Sequence, residues 1–485
     1  MASILAAAPI LGLIAMLMSM SHLVPIAISV IYSDGALSAF VFAACLNFAA
    51  GFVVWLATRR FRREIMAQDA ILLVVLAWSG GALFATVPLL LALPALSFTD
   101  AYFETMSGIT TTGSTVLSNL DNLPPSINIW RGLLQWFGGM GIIVLAIALL
   151  PMLGVGGRQI YKAETPGPMK DTKLTPRLAE TAKGLWLIYF GLSLACFTAY
   201  ALAGMPWLDA LMHTFSTMAT GGFSNHDASF GHFDSPLIES IAIFFMLVAA
   251  INFGSHFLAL RSRSIAPYRQ DPEVGWFLAV MLGSCAGIGL YLWQTGVYPE
   301  FPTALRHASF NLVSVATSTG YASRDFNLWP IFAPLWMMFL VSFASCSGST
   351  GGGIKMIRAV ILYKQVYREF IRLLHPSAAF PMKVAGHPVE NRVVFAVLAF
   401  LFIYIVCIVS LTLLLTATGL DVLTAFSAVI ATINNLGPGL NQVGPATTFE
   451  ALNDFQTWLL SAAMLVGRLE LFTVLVILTP AFWRK

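Results

Sequence analysis

Four short polar runs, each built on glycine, carry the chemistry this sequence can do. They are Thr110-Thr111-Thr112-Gly113, Ala219-Thr220-Gly221-Gly222-Phe223, Thr317-Ser318-Thr319-Gly320-Tyr321 and Asn434-Asn435-Leu436-Gly437-Pro438-Gly439. An extended backbone in such a run can offer carbonyl oxygens in place of a cation's water shell, and glycine reaches the backbone angles this requires. A cage of neutral carbonyls suits a weakly hydrated monovalent ion, whereas a divalent cation calls for carboxylates. Taken alone, any one run reads more simply as a helix cap or turn. Recurrence is what changes the reading.

The glycines at 113, 222, 320 and 437 stand 109, 98 and 117 residues apart, a domain-sized period. Phe103, Met212 and Phe310 each lie ten residues before their glycine, and Asp100 and Asp209 thirteen before; in the fourth copy Phe426 lies eleven before, a shift of one. The segments containing the runs, Asp100 to Thr115, Trp207 to Asn225, Thr303 to Ser323 and Leu420 to Asn441, are too short to span a bilayer and lie between longer apolar stretches. Each begins with about three turns of helical periodicity. It therefore enters the membrane as a half-helix whose partly negative C-terminal end faces a common axis, which favours a cation. Irregular backbone at membrane depth needs protein or a water-filled cavity around it, and four copies on one side supply that cavity.

The elements that must position these runs are apolar throughout. The 485 residues are 58% hydrophobic and 10% charged, with a mean hydropathy of +0.80, values outside any soluble globular class. Ten stretches are long enough to cross a bilayer, near 8 to 31, 38 to 57, 69 to 93, 127 to 150, 180 to 204, 236 to 260, 274 to 295, 330 to 362, 391 to 417 and 454 to 480. The first reads as a retained helix, since no basic segment precedes it. The expected fold is an all-α membrane protein with two leading helices (1–63) and four repeats of helix, half-helix, run and helix at 64–165, 166–270, 271–385 and 386–485.

Most of the 26 Lys and Arg fall on one side of this topology: Arg59, Arg60, Arg62 and Arg63, the group from Arg158 to Lys183, Arg261, Arg263 and Arg269, the group from Lys355 to Arg392, and Arg484 with Lys485. By the positive-inside rule both termini are expected in the cytoplasm. Arg131, Arg306 and Arg324 fall on the other side. The cysteines at 45, 196, 285, 346 and 407 sit far apart in apolar stretches and read as small packing residues.

At these runs the chain resembles the Trk, Ktr and HKT superfamily of cation transporters, most closely its TrkH branch, over essentially its whole length including the two leading helices. The resemblance implies a single-chain, pseudo-fourfold pore passing K+ in a bacterial inner membrane, a homodimer, and a cytosolic nucleotide-binding regulatory subunit of the TrkA type. It implies no organic cofactor and no nucleic-acid partner. Carried over by position, the filter residues are Thr111, Thr112 and Gly113; Thr220, Gly221 and Gly222; Ser318, Thr319 and Gly320; and Asn435, Leu436 and Gly437. Glycine at 113, where some plant relatives carry serine and pass Na+, favours K+. Whether transport is channel-like or a symport with H+ or Na+ stays open.

Two features depart from simple repetition. Residues 345–355, Ser345-Cys346-Ser347-Gly348-Ser349-Thr350-Gly351-Gly352-Gly353-Ile354-Lys355, cannot hold a helix cheaply, at about 1 kcal/mol per glycine relative to alanine. The eighth stretch should break there, giving an intramembrane loop that gates the pore below the third run. Arg468 lies inside the tenth apolar stretch, where a charge costs about 2.5–3.5 kcal/mol unless it meets water or a partner. It is expected to line the pore below the filter as an electrostatic barrier. A pair with Glu470 is disfavoured, since residues two apart on a helix do not face each other.

His213, His226, His232 and His307 suit hydrogen-bonded structural roles. A membrane-embedded enzyme would require a convergent set of acids, bases or metal ligands, and the few helical acids, Glu104 and Glu470 among them, do not form one. A receptor or scaffold leaves the four runs unexplained. A Na+ or poorly selective cation pathway is the nearest alternative to K+ uptake.

Overall fold

The computed structural model describes residues 2–61, 66–144, 178–377 and 380–484. Helices α1 (Ala2–Ser21), α2 (Leu23–Tyr32) and α3 (Leu37–Thr58) lead the chain. α1 and α3 cross at Gly12 and Gly51, where a Cβ on either would stand 2.7 Å from the other's carbonyl oxygen. Such small-residue contact lets helices associate closely without a hydrophobic driving force in lipid.

From α4 (Ala67–Ala92) onward one order of elements recurs. A long helix leads to a half-helix: α4 to α5 (Phe98–Ile109), α7 (Leu178–Leu202) to α8 (Trp207–Ala219), α11 (Pro272–Gln294) to α12 (Phe301–Ala316), and α15 (Asn391–Ala417) to α16 (Val422–Ile433). Caps start two of the half-helices cleanly: Ser97 Oγ accepts from the Asp100 amide, and the Asp421 carboxylate accepts from the Thr424 amide. The half-helices form the centre of the molecule, with Phe103, Met212 and Phe310 fully buried.

The helix after each run varies. α6 (Pro125–Val144) runs to the edge of the described residues. α9 (Pro236–Ala249) turns by 94° into α10 (Phe253–Ser262), and Asn252 caps the second piece through the Gly254 amide at 2.8 Å. The eighth apolar stretch is two helices, α13 (Phe332–Val341) and α14 (Met356–Leu374), with residues 342–355 between them. α17 (Asp454–Arg468) turns by 116° into the short α18 (Leu471–Leu475).

Among the described residues six helices are long and apolar enough to cross a membrane alone, or eight if each bent pair is one span. Of the expected ten, the two not among these eight are the fourth, described only as far as Val144, and the eighth, which is broken as expected. The sixth and tenth stretches are bent pairs, not straight helices. Arg468 is consequently not in mid-helix: it is the last residue of α17, where the carbonyl end of the helix is partly negative and favours a cation. A two-residue antiparallel pair, Lys383–Val384 with His387–Pro388, adds a small hairpin after α14.

Candidate functional site

All four runs have the same backbone. The residue two before each glycine is left-handed: Thr111 at φ 53°, Thr220 at 50°, Ser318 at 59° and Asn435 at 54°. The glycines themselves lie at φ 87° (Gly113), 81° (Gly222), 88° (Gly320) and 104° (Gly437). The amides of Thr112, Gly221, Thr319 and Leu436 each donate to the carbonyl five residues back at 2.8 Å. Those of Thr111, Thr220, Ser318 and Asn435 donate three residues back at 2.9–3.2 Å. This is the Schellman motif. The runs are thus helix caps after all, and the cap is the device that turns the chain into an extended segment at the half-helix end.

The fourth copy obeys the same register with no shift. Ser427, ten residues before Gly437, is buried, while Phe426 is 36% exposed. The one-residue offset expected from Phe426 is therefore corrected: serine takes the position of Phe103, Met212 and Phe310.

The four runs close on one another. A Cβ on Gly113 would lie 2.1 Å from the Gly221 oxygen, on Gly222 2.0 Å from the Thr319 oxygen, and on Gly320 2.0 Å from the Leu436 oxygen. On Gly437 it would lie 3.1 Å from the Thr112 oxygen, which completes the circle. Each glycine abuts the carbonyl of the residue preceding the next run's glycine. A side chain at the first three positions would collide with backbone, and the positive φ disfavours one at all four.

Side chains brace this circle from behind. Thr110 and Thr112 share a hydroxyl hydrogen bond at 2.8 Å, as do the matched Thr317 and Thr319. Ser114 Oγ donates to the Gly437 oxygen at 2.7 Å, and Asn435 Nδ2 donates to Thr112 Oγ1 at 2.9 Å, joining the first and last runs. On α6, Gln135 Nε2 donates to the Gly221 oxygen at 2.6 Å, and its Oε1 accepts from the Phe223 amide at 3.3 Å. A Cβ on Gly221 would stand 2.4 Å from the Gln135 amide carbon, so any side chain there would displace Gln135 from this bond.

Glu104 and Arg131, both 1% exposed, form an ion pair at 2.8 Å. Glu104 also accepts from the Val116 amide, and Arg131 donates to the Ser224 carbonyl at 2.9 Å. This pair fastens the segment leaving the first run to that leaving the second. Buried and fully hydrogen-bonded, it is a brace whose half-removal would leave a lone buried charge. Sequence reasoning passed over Gln135 and gave Glu104 and Arg131 no bracing role; polar side chains in apolar helices were the available signal.

The glycine-rich break lies directly against the half-helix ends. The Gly352 amide donates to Ser318 Oγ at 2.8 Å. A Cβ on Gly352 would meet the Asn434 oxygen at 1.9 Å, and one on Gly351 the Thr317 oxygen at 3.1 Å. Gly348 accepts from the Phe253 amide at 3.0 Å, and Thr350 Oγ1 donates to the Ala249 oxygen at 3.2 Å, so the break of α13–α14 rests on the bend of α9–α10. Lys355 Nζ folds back to the Gly351 carbonyl. Glu273 in the first turn of α11 holds both flanks, accepting from the Ser347 amide at 3.0 Å and the Ile357 amide at 2.9 Å. No sequence expectation included Glu273.

Arg468 is 4% exposed and reaches across, donating to the Thr350 oxygen at 2.8 Å and the Gly138 oxygen at 3.3 Å. Glu470 pairs instead with Arg358 at 3.2 Å. Arg358, grouped by sequence with the exposed cytoplasmic cations, is 3% exposed and stacks over Phe400 at 3.9 Å. Lys355, Arg358, Asn435, Arg468 and Glu470 help line a cavity of about 90 Å3 beside the break, room for several waters. The structure thus brings the four glycine runs together, and sets Gly348, Ser349, Gly351, Gly352, Gly353, Lys355 and Arg468 around one space beneath them, with Thr350 tied to it through Arg468. The basic group from Arg158 to Arg177 lies outside the described residues.

The fold is that of an all-α membrane protein whose half-helices converge on a closed circle of backbone carbonyls. The chain belongs to the TrkH family: residues 36–485 match its model, described as "Cation transport protein". It is a family of transporters, not enzymes. The chain is 46% identical to a Trk system potassium uptake protein TrkH of Salmonella typhimurium over 477 residues, 98% of each chain, and 47% identical over 478 residues to one of Halomonas elongata. A crystal structure of the potassium transporter TrkH from Vibrio parahaemolyticus superposes with a TM-score of 0.91 at 44% identity, covering 100% of this chain and 99% of that one.

Proposed function

We propose that the chain takes up K+ across a bacterial inner membrane through the circle formed by its four runs, one contributed by each of the repeats 64–165, 166–270, 271–385 and 386–485. The observation that carries this reading is the closed circle of glycine-to-carbonyl contacts, which makes four neutral backbone segments equivalent around one axis. The partly negative ends of four half-helices favour a cation there, and carbonyls replace the shell of a weakly hydrated one. The relatives' description as potassium uptake proteins supports K+ as the ion. Reversal potentials in proteoliposomes under opposed K+, Na+ and pH gradients test it. Potentials tracking Na+ equally with K+ would overturn the selectivity, and a shift with the pH gradient would convert uniport into symport.

Residues 345–355 form the gate on the cytoplasmic side of the circle, and Arg468 sets a positive barrier beside it. This is supported by the contacts of Gly351 and Gly352 with the ends of the third and fourth half-helices and by the tie from Arg468 to Thr350. Deleting Gly351 to Gly353 should raise K+ flux in the absence of any partner; flux that stays low and regulated would refute the gate. A homodimer, a TrkA-type nucleotide-binding subunit docking on the cytoplasmic face, and cytoplasmic termini complete the reading.

A further inference from the structure

We propose that Asp121, His226 and His232 form a binding site for a divalent transition-metal ion of the Zn2+ class, joining the loops that follow the first and second runs. One ligand atom from each of the three lies within 4.8 Å of the other two. Asp121 belongs to the loop after Gly113, and His226 and His232 to the loop after Gly222. Zn2+ accepts this oxygen and imidazole set, with water as fourth ligand, at roughly 2.0–2.2 Å.

His226 is the centre of the site. Its Nδ1 lies 2.5 Å from Asp121 Oδ1, the two atoms a metal would join. Two ligand atoms of a tetrahedral ion stand roughly 3.3 Å apart at these bond lengths, so the pair must part by under about an ångström. Asp121 is 42% exposed at its side chain and His232 is exposed, so both have room to move. His232 is stacked on His226, ring centroids 3.5 Å apart, so its exposed ring must turn out of the stack to bring an in-plane nitrogen lone pair to the same ion.

A second observation points the same way. His226 Nε2 faces Asp209 Oδ2 at 3.4 Å, and Asp209 is held by Asn225 Nδ2 at 2.6 Å. A histidine that ligates through one nitrogen while the other donates to a fixed carboxylate is the usual outer support of metal sites. The loops are also pre-joined, since the Asp227 amide donates to Asp121 and the Leu120 amide donates to Asp227, each at 3.1 Å.

Protons compete with the metal for His226. Imidazole ligates Zn2+ only in its neutral form, so binding weakens as pH falls. The other titratable groups facing His226 are His232, His213 and Asp227.

The test is Zn2+ titration of the purified full-length protein, with any affinity tag removed, by calorimetry at about pH 7.5 and about pH 5.5. One ion per chain is expected at the higher pH, with weaker binding at the lower. His232→Ala and Asp121→Asn should each weaken Zn2+ at least about tenfold, and His375→Ala, an exposed histidine elsewhere, should leave it unchanged. Melting temperatures matching the parent without Zn2+ show that a variant is folded. Absence of binding by the parent, or equal binding by folded His232→Ala and Asp121→Asn, overturns the site. Because the readout is binding, failure of the transport reading would leave this result intact.

Discussion

At the level of the four glycines the molecule is nearly fourfold; one helical turn below, no two described repeats are alike. The circle repeats its dihedral angles, its cap hydrogen bonds and its glycine-to-carbonyl contacts in every copy. Beneath it the second repeat bends at Asn252, the third opens over residues 342–355, and the fourth stops at Arg468 and turns by 116°. On the proposed function, equal ligands around an ion require equal backbones, which the upper level supplies, and opening and closing requires one part that moves relative to fixed neighbours, which fits the divergence of the lower level.

The contrast can be broken first at the circle. Gly320→Ala places a Cβ 2.0 Å from the Leu436 oxygen at φ 88°. It should abolish K+ flux, by two orders of magnitude or more, in protein that still purifies from membranes. Gly437→Ala, at 3.1 Å from the Thr112 oxygen, should be milder. Equal flux through parent and Gly320→Ala would mean that the circle does not carry the ion.

Below the circle the effects should be graded and opposite in sign. Arg468→Gln removes a positive charge and the tie to Thr350, and should raise unitary K+ conductance several-fold in planar bilayers. Glu273→Ala removes the acceptor of the Ser347 and Ile357 amides, a loss on the order of 1.4 kcal/mol or a tenfold shift toward the released loop. Faster hydrogen exchange at 345–357 and higher partner-independent flux would show it; unchanged exchange would mean that Glu273 does not restrain the break.

The smallest effect lies outside the membrane. His226 is held above its ordinary value, so its stabilisation is full below an unfolded value near 6.5 and fades as pH rises through the folded one. Melting temperature should therefore decline modestly toward alkaline pH in the parent, and His226→Asn should flatten that slope.

Much of this was legible in the sequence because membrane insertion and ion coordination both leave strong marks. The glycine spacing located all four runs, and three consecutive glycines were enough to predict the broken helix. The miss at Phe426 came from following the large side chain when the conserved quantity was backbone register, which a serine satisfies. The straight tenth helix failed because the bend falls at Leu469 and Glu470, neither of them proline or glycine; Glu470 takes φ 62° and pairs with Arg358. Gln135 and Arg131 reach across repeats to Gly221 and Ser224, and Glu273 reaches Ser347 and Ile357 within its own repeat; contacts that cross seventy or more residues have no local signal.

The seam between the first and last runs sets a condition on biogenesis. Ser114 meets Gly437 and Asn435 meets Thr112 across 323 residues. At 5–20 residues per second, roughly 15 to 65 seconds of synthesis separate the first run from the partner that completes its circle. Throughout that interval the Thr110–Gly113 backbone sits at membrane depth without its final neighbour, where an unsatisfied polar group costs several kcal/mol. A nascent chain of this kind must be sheltered by the insertion machinery until its fourth repeat arrives, and chains released early should be cleared before they can leak ions.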